Sequence, residues 1–300
     1  MILCCGDTLM DMIPGRTASG QMGYVPHNGG GAVNTALNLA RMGARVGLLA
    51  AVSRDPFGRQ LVRALRNGGV DTSLIIASDQ PCTLAFVHLT DGEAQYSFYD
   101  ENSAARTLAP TDLPVLPDHV RSLLLGGICL CHTPGAAAFE ALGQNAGKRL
   151  VMLDPNVRPG FVGDEVAYRA RLGRMMARAH IVKLSEPDLD WIDPRPLDWQ
   201  DKLAELLRTG PSLVLFTQGE KGATACHRDG RKVTVEAEKV EVVDSVGAGD
   251  AFNAGFLARL HALDLADPKA VATMPTEFLR DCLAHATRAA AASLSRSGGV

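Results

Sequence analysis

The chain has 300 residues, of which 46% are apolar and 21% charged, with a formal net charge of −3. That length is long for one compact core and short for two equal ones, so one large domain with an appendage is expected. The slight negative charge leaves no basic footprint, which excludes nucleic acid and an anionic membrane surface as expected partners. Seven scattered cysteines are an odd set and do not form a closed disulfide framework.

The opening "MILCCGDTLMD" has no basic leader and meets Gly6 and Asp7 early. It reads as a first strand rather than a signal peptide, and a cytoplasmic protein is expected. In "GGGAVNTALNLARMG", Val33, Ala36, Leu37 and Ala40 recur with helical spacing, and Gly43 stops the helix. "ARVGLLAAV" follows as one buried strand. "RDPFGRQLVRALRNGG" supplies an Asp55 N-cap, Pro56 at the first helical position and a Gly68 stop.

From Cys82 to Tyr99 the pattern changes to two extended runs around Asp91-Gly92, a hairpin signal. The glycine-rich stretch 12–27 can add strands to that hairpin, giving a small β-structure suited to a lid. "LAPTDLPVLPDH" reads as a linker back to the main sheet. Ser122 to Phe139 carries no charge, but its glycines, His132 and Pro134 make it strand, loop and helix start rather than a membrane span. Within it, "ICLCH" sets Cys129 and Cys131 on one face of an extended segment beside His132. No second pair at zinc spacing follows, so buried strand cysteines are preferred to a metal site.

Further strands read at "SLLLGG", "RLVMLDPN", "AHIVKLS", "SLVLFTQG" and "KVEVVDS", and "ATACHRDGRKVTV" reads as a hairpin. Helices such as "WQDKLAELLRTG" and "TEFLRDCLAHATRAAAASLSR" fill most gaps. The alternation is that of an α/β fold, a mostly parallel sheet covered by helices.

The densest chemistry lies in "DSVGAGDAFNAGF", residues 244–256, between an apolar run and a helix-like one. Gly247, Ala248 and Gly249 would open the helix, and its unpaired amides favour an anion that glycines allow to come close. No Gly-Lys-Ser/Thr follows, so this is not a Walker A loop. Asp250 would repel a bound phosphate unless it had another task, such as taking the proton of an attacking hydroxyl. The alternative is a first-turn aspartate that only complements the helix dipole.

This segment resembles the C-terminal signature of the ribokinase-like (PfkB-type) sugar kinases, the family that includes bacterial fructokinases, with Ser245 where that signature usually has threonine. The resemblance runs the length of the chain. "GGGAVNTALNLARMGARV" with "DPFGRQL" is similar to the family's sugar-side motif, and "FYDENSAAR" to fructokinase-like lids. "DPNVRP", "KLSEPDL" and "FTQGEKGA" follow in the family order.

The resemblance implies a single ribokinase-like domain over 1–300, a three-layer α/β/α fold with a β-sheet lid from about 12–27 and 80–107. It implies an ATP-dependent sugar kinase using Mg2+, with K+ as a second candidate ion and fructose as the favoured acceptor. The alternatives are a 2-keto-3-deoxygluconate kinase, a ribokinase, or another sugar or nucleoside kinase. A homodimer paired through the lid is also expected.

By resemblance, Asp11 and Asn34 would hydrogen-bond sugar hydroxyls, and Gly30 and Gly31 would let the sugar lie against backbone. For Asn34 the alternative is the solvent face of its helix. Arg106 and Arg158 are candidates for substrate or phosphoryl charge, against a reading as surface arginines. Lys183, Ser185, Thr217, Gly219, Gly222, Ser245 and Thr287 fall on the nucleotide side. Asp188 stands where the family has a glutamate serving magnesium indirectly, and Ser185 also suits a helix N-cap. From other classes, a dinucleotide oxidoreductase would need the G-x-G-x-x-G that the first strand lacks, and a non-catalytic nucleotide sensor would not need Asp250.

Overall fold

The structure, a computed structural model, describes residues 1–90 and 93–295. Short leucine- and valine-rich runs pair into an eight-stranded sheet. Its order is Lys232–Val235, Ala223–His227, Leu213–Thr217, Ile181–Ser185, Leu150–Asp154, Ser122–Gly126, Ile2–Gly6 and Val46–Leu49. The last six run parallel; the first two turn back antiparallel as the expected hairpin. Strands such as Leu150–Asp154 are buried at every position, as a parallel sheet covered on both faces requires.

Two separate cores flank the sheet. One joins Ala36, Phe256 and Leu283 from helices Gly31–Arg41, Ala248–Ala262 and Thr276–Leu294. The other joins Phe139, Leu172 and Leu203 from helices Gly135–Gln144, Glu165–Arg178 and Trp199–Thr209. Helices on both faces make a three-layer α/β/α arrangement. Among the described residues no helix is long and apolar enough to cross a membrane.

A second, four-stranded sheet has the order Met22–Gly29, Leu9–Arg16, Thr83–Thr90, Glu93–Tyr99. The Asp91-Gly92 turn lies outside the described residues, but the strands on either side pair antiparallel, Thr90 opposite Glu93. Helix Pro56–Asn67 starts as expected, with the Asp55 carboxylate accepting from Gly58 N at 2.8 Å.

Three expectations are corrected. "ARVGLLAAV" is two strands, because Ala50 O accepts from Ile76 N (2.9 Å) and Ala51–Ser53 leaves to pair with Ile76–Ser78. "KVEVVDS" forms no strand. The amides of Val243 and Asp244 donate instead to Leu294 O at 2.8 and 3.2 Å, and Val242 and Val243 are each 59% exposed. An apolar run beyond the edge strand met a helix end before it met a partner strand. Finally, Cys129 and Cys131 sit in and just after a 3-10 turn, Ile128–Leu130, so they are buried but not extended.

Candidate active site

Parallel strands deliver their carboxyl ends to one edge of the sheet, and the crevice opens where the chain reverses direction across it. Here the reversal falls beside Ile2–Gly6, whose neighbours are Val46–Leu49 and Ser122–Gly126. Asp7, Asp154, Ser185 and Thr217 end or follow four of these strands. The helices Gly31–Arg41 and Ala248–Ala262, packed against each other, bring their first turns to the same edge.

Glycines set how closely these parts meet. Gly30 has φ +107°, and a Cβ there would collide with the Asp7 carbonyl. A Cβ on Gly31 would lie 3.2 Å from Asp250 Oδ1. Gly247, with φ +79° and ψ 0°, takes the left-handed conformation that opens the helix, and a Cβ on Gly249 would stand 3.3 Å from Lys183 Nζ.

Asp250 is 9% exposed. Its Oδ2 accepts from Asn34 Nδ2 at 2.9 Å, which leaves Oδ1 facing Gly31. Asn34 is therefore buried against another helix and not on a solvent face. Burial pushes the Asp250 carboxyl up to about 7; Asp154 and Asp7 add to the rise, while Asn34 and Lys183 oppose it.

Behind Asp250, Lys183 Nζ lies 3.2 Å from Asp154 Oδ2, which also accepts from Asn253 Nδ2 at 2.7 Å. Burial works against the Lys183 charge, but Asp154 and Asp188 outweigh it and leave its pKa raised; burial also holds the Asp154 carboxyl above its usual range, with Lys183 and Asn253 opposing that rise. Asn253 Oδ1 and Asp7 Oδ1 are buried without a hydrogen-bond partner. On the small sheet, burial lifts Asp11 to about 6, helped by the Asp7 charge.

A cleft of about 600 Å3 adjoins this cluster. Lys183, Ser185, Thr217, Gly219, Gly222, Ser245 and Thr287, the residues assigned by sequence to the nucleotide side, all line it, and so does Arg158. Arg106 lies apart, in a small pocket with Asp7 and His132, paired to Asp100 at 3.1 Å. Asp188 does not line the cleft. Its carboxylate accepts from Val157 N (2.8 Å) and Ser185 N (2.9 Å), closing the capping box that starts helix Glu186–Ile192. Ser185 is thus an N-cap and a cleft residue at once.

Sequence reasoning missed Asp7, Asp154 and Asn253. Asp154 and Asn253 lay inside quoted motifs, "DPNVRP" and "DAFNAGF", and Asp7 directly followed the first strand, but a lone acid at a strand end carries no signal of which neighbours will face it.

A buried carboxylate beside an open cleft, at the start of a helix whose amides favour an anion, fits a phosphoryl-transferring enzyme. Comparison with known proteins agrees. A family model for "pfkB family carbohydrate kinase" matches residues 1–300. Fructokinase of Rhizobium leguminosarum bv. trifolii is 42% identical over 282 residues, 94% of this chain and 86% of that protein. Fructokinase of Salmonella typhimurium is 37% identical, over 86% of this chain and 83% of its own length. Among solved structures, fructokinase from Xylella fastidiosa with bound ATP superposes with a TM-score of 0.90 at 26% identity, covering 99% of this chain and 93% of that one. Fructokinase from Vibrio cholerae O395 with fructose, ADP and calcium does so with 0.85 at 26% identity, covering 99% and 94%. The chain belongs to the pfkB family of carbohydrate kinases and is an ATP-dependent sugar kinase.

Proposed function

We propose that the chain phosphorylates D-fructose on a hydroxyl, giving fructose 6-phosphate, with ATP as donor. The observation that carries the mechanism is the placement of Asp250, buried in the first turn of a glycine-started helix, held by Asn34 and next to the cleft. Asp250 Oδ1 takes the proton of the attacking hydroxyl while Asn34 holds Oδ2. The hydroxyl oxygen forms the new bond to the γ-phosphorus, the bond to the β-phosphate oxygen breaks, and ADP departs. Amides of the Gly247–Gly249 turn, with Lys183 beside Gly249, face the charge on the transferring group. Asp7 joins Asp11 and Asn34 as a hydroxyl acceptor; its unpartnered Oδ1 suits a polyol donor.

Mg2+ neutralises charge on the ATP phosphates when bound. Asp188, already committed to two backbone amides and the Ser185 hydroxyl, suits only an indirect role through water. A potassium-bound form is known for the Vibrio cholerae fructokinase, and a K+ site is proposed here without assigned ligands.

The small sheet acts as a lid that keeps water from the phosphoryl group. Its outer strand Met22–Gly29 exposes Met22 (69%) and Tyr24 (43%), and Tyr99 (64%) lies on the opposite edge strand; these edges support pairing of two lids in a homodimer. Seven free, buried cysteines fit a reducing cytoplasm. An acidic sugar such as 2-keto-3-deoxygluconate needs a spare cation beside the acceptor; Arg106 is already paired with Asp100, which leaves Arg158, whose Nη1 donates to the Asn156 and Val157 carbonyls. A panel of sugars with ATP and Mg2+ tests the assignment: fructose should give the highest kcat/KM, and a higher value for an acidic sugar or a nucleoside would overturn it.

A further inference from the structure

Away from the cleft, helix Pro56–Asn67 and the strands Ala51–Ser53 and Ile76–Ser78 border a second groove of about 980 Å3, larger than the 600 Å3 cleft. Four arginines line it, Arg54, Arg59, Arg63 and Arg66, and among the described residues no acid does. Such a concentration stands out in a chain whose net charge is −3.

Three of these arginines share one helix face. Positions 59, 63 and 66 are spaced i, i+4 and i+7, a row of about 10 Å along the axis. Like charges at that spacing disfavour the bare helix, so the row calls for a compensating anion. The acids close by are already engaged. Asp79 pairs with Arg54 at 2.7 Å, Asp71 accepts from Ser73 N at 2.8 Å, and Asp55 is the N-cap. Arg66 spends only its Nε, on Thr72 Oγ1 at 3.0 Å, and Arg63 has no partner among the described residues. Buried Val52 with half-buried Val62 and Ile75 gives the groove an apolar floor.

We propose that this groove is a binding site for a small molecule bearing two or more phosphoryl groups, held by the Arg59, Arg63 and Arg66 guanidiniums with its carbon skeleton on the valine–isoleucine floor. Guanidinium forks match phosphate oxygens in pairs, which suits this class better than a carboxylate-poor sugar or a single point charge. The helix that carries the arginines is also tied to the small sheet. The Asp55 carboxylate accepts from Cys82 N at 2.8 Å, at the start of one lid strand, and Gln60 Nε2 donates to Pro26 O at 3.5 Å on another. Occupancy therefore changes the KM for the sugar more than that for ATP; this consequence, unlike the binding itself, rests on the sugar-kinase reading.

The test is calorimetric titration of the whole chain with inorganic tripolyphosphate, in saturating AMP, which fills the nucleotide cleft with a molecule bearing a single phosphoryl group and so outside the class proposed for the groove. One further site is expected, weakened at least tenfold in Arg63→Ala/Arg66→Ala and weakened also as salt rises. Both side chains are exposed, so the variant should keep the wild-type melting temperature and basal turnover. No binding in the presence of AMP, or equal binding by the variant, overturns the site. A variant that changes sedimentation but not tripolyphosphate binding makes the groove a chain–chain contact, and the proposal fails. Binding without any change in sugar KM leaves the site and removes its link to the lid.

Discussion

The two sides of the candidate site differ in how much of their order is built in. On the acceptor side, Asp7, Asn34, Asp154, Asp250 and Asn253 are each less than a tenth exposed, and hydrogen bonds of 2.7–2.9 Å fix two of the three carboxylates. On the nucleotide side, the cleft is open, and the segment leading into Gly247 leaves Val242 and Val243 each 59% exposed. In the proposed mechanism the reacting groups are held before substrate arrives, whereas the donor is met by a surface. Three buried carboxylates, two of them acting on one buried lysine, are expensive to fold, which is the mark of a site shaped for charge developed during reaction rather than for stability.

The sharpest way to break this comparison is Asp250→Asn. The amide keeps the Asn34 contact but cannot take a proton, so kcat should fall by about 10²–10⁴-fold or more, with fructose and ATP still binding. The same change should raise the melting temperature at pH 8. A carboxyl whose folded pKa is about 7, against a usual 3.8, lends its full stability below pH 4 and loses it as pH rises toward 7. Asparagine removes that loss. Steady-state kinetics with melting curves at pH 5 and pH 8 check both halves. Retained turnover removes Asp250 as the base, and an unchanged melting temperature removes the buried-charge cost.

A smaller effect is expected on the opposite side. Gly247→Val forces a branched residue into φ +79° at the helix start, costing about 1–2 kcal/mol of local strain and displacing the amides that face the phosphate. The KM for ATP should rise and kcat fall about 10–100-fold, while calorimetric fructose affinity stays within a factor of about two. If fructose binding falls equally, the two sides are not separable in the way their geometry suggests.

How much of this was legible in the sequence follows the same division. The main sheet was readable because each parallel strand is a short run buried at every position or at all but its last, and the helix Pro56–Asn67 because Asp55 and Pro56 are local signals. The seven nucleotide-side residues were placed by motifs that keep their order along the chain. The run "KVEVVDS" misled because valine content reports a preference for burial and extension, not the presence of a partner strand; the amides went to Leu294 instead. The cluster behind Asp250 was invisible for a related reason. Asp154, Lys183 and Asn253 meet only because strands Leu150–Asp154 and Ile181–Ser185 are neighbours and Ala248–Ala262 lies over them, which no spacing in the sequence encodes. Gly30 and Gly31 were expected to admit a sugar; they also let a helix approach Asp7 and Asp250, a packing role that the word "glycine" alone does not separate from the first.

The least expected change in rate, but the most informative, concerns that hidden cluster. If Asp250 must be ionised, kcat/KM should be flat above about pH 7 and fall tenfold per unit below it. The charged groups facing Asp250 are Asp154 and Asp7, which disfavour its ionisation, and Lys183, which favours it. Asp154→Asn removes one repulsion and leaves Lys183 without its counter-ion. Both changes favour the Asp250 carboxylate, so the acid limb should move down by on the order of one pH unit. The plateau is measured alongside; a lower plateau with an unmoved limb would mean that Asp154 only props up Lys183. A limb displaced downward, with Asn253→Ala displacing it less, would show that the acid sets the basicity of its neighbour by charge, and that the asparagine between them serves to hold it in place.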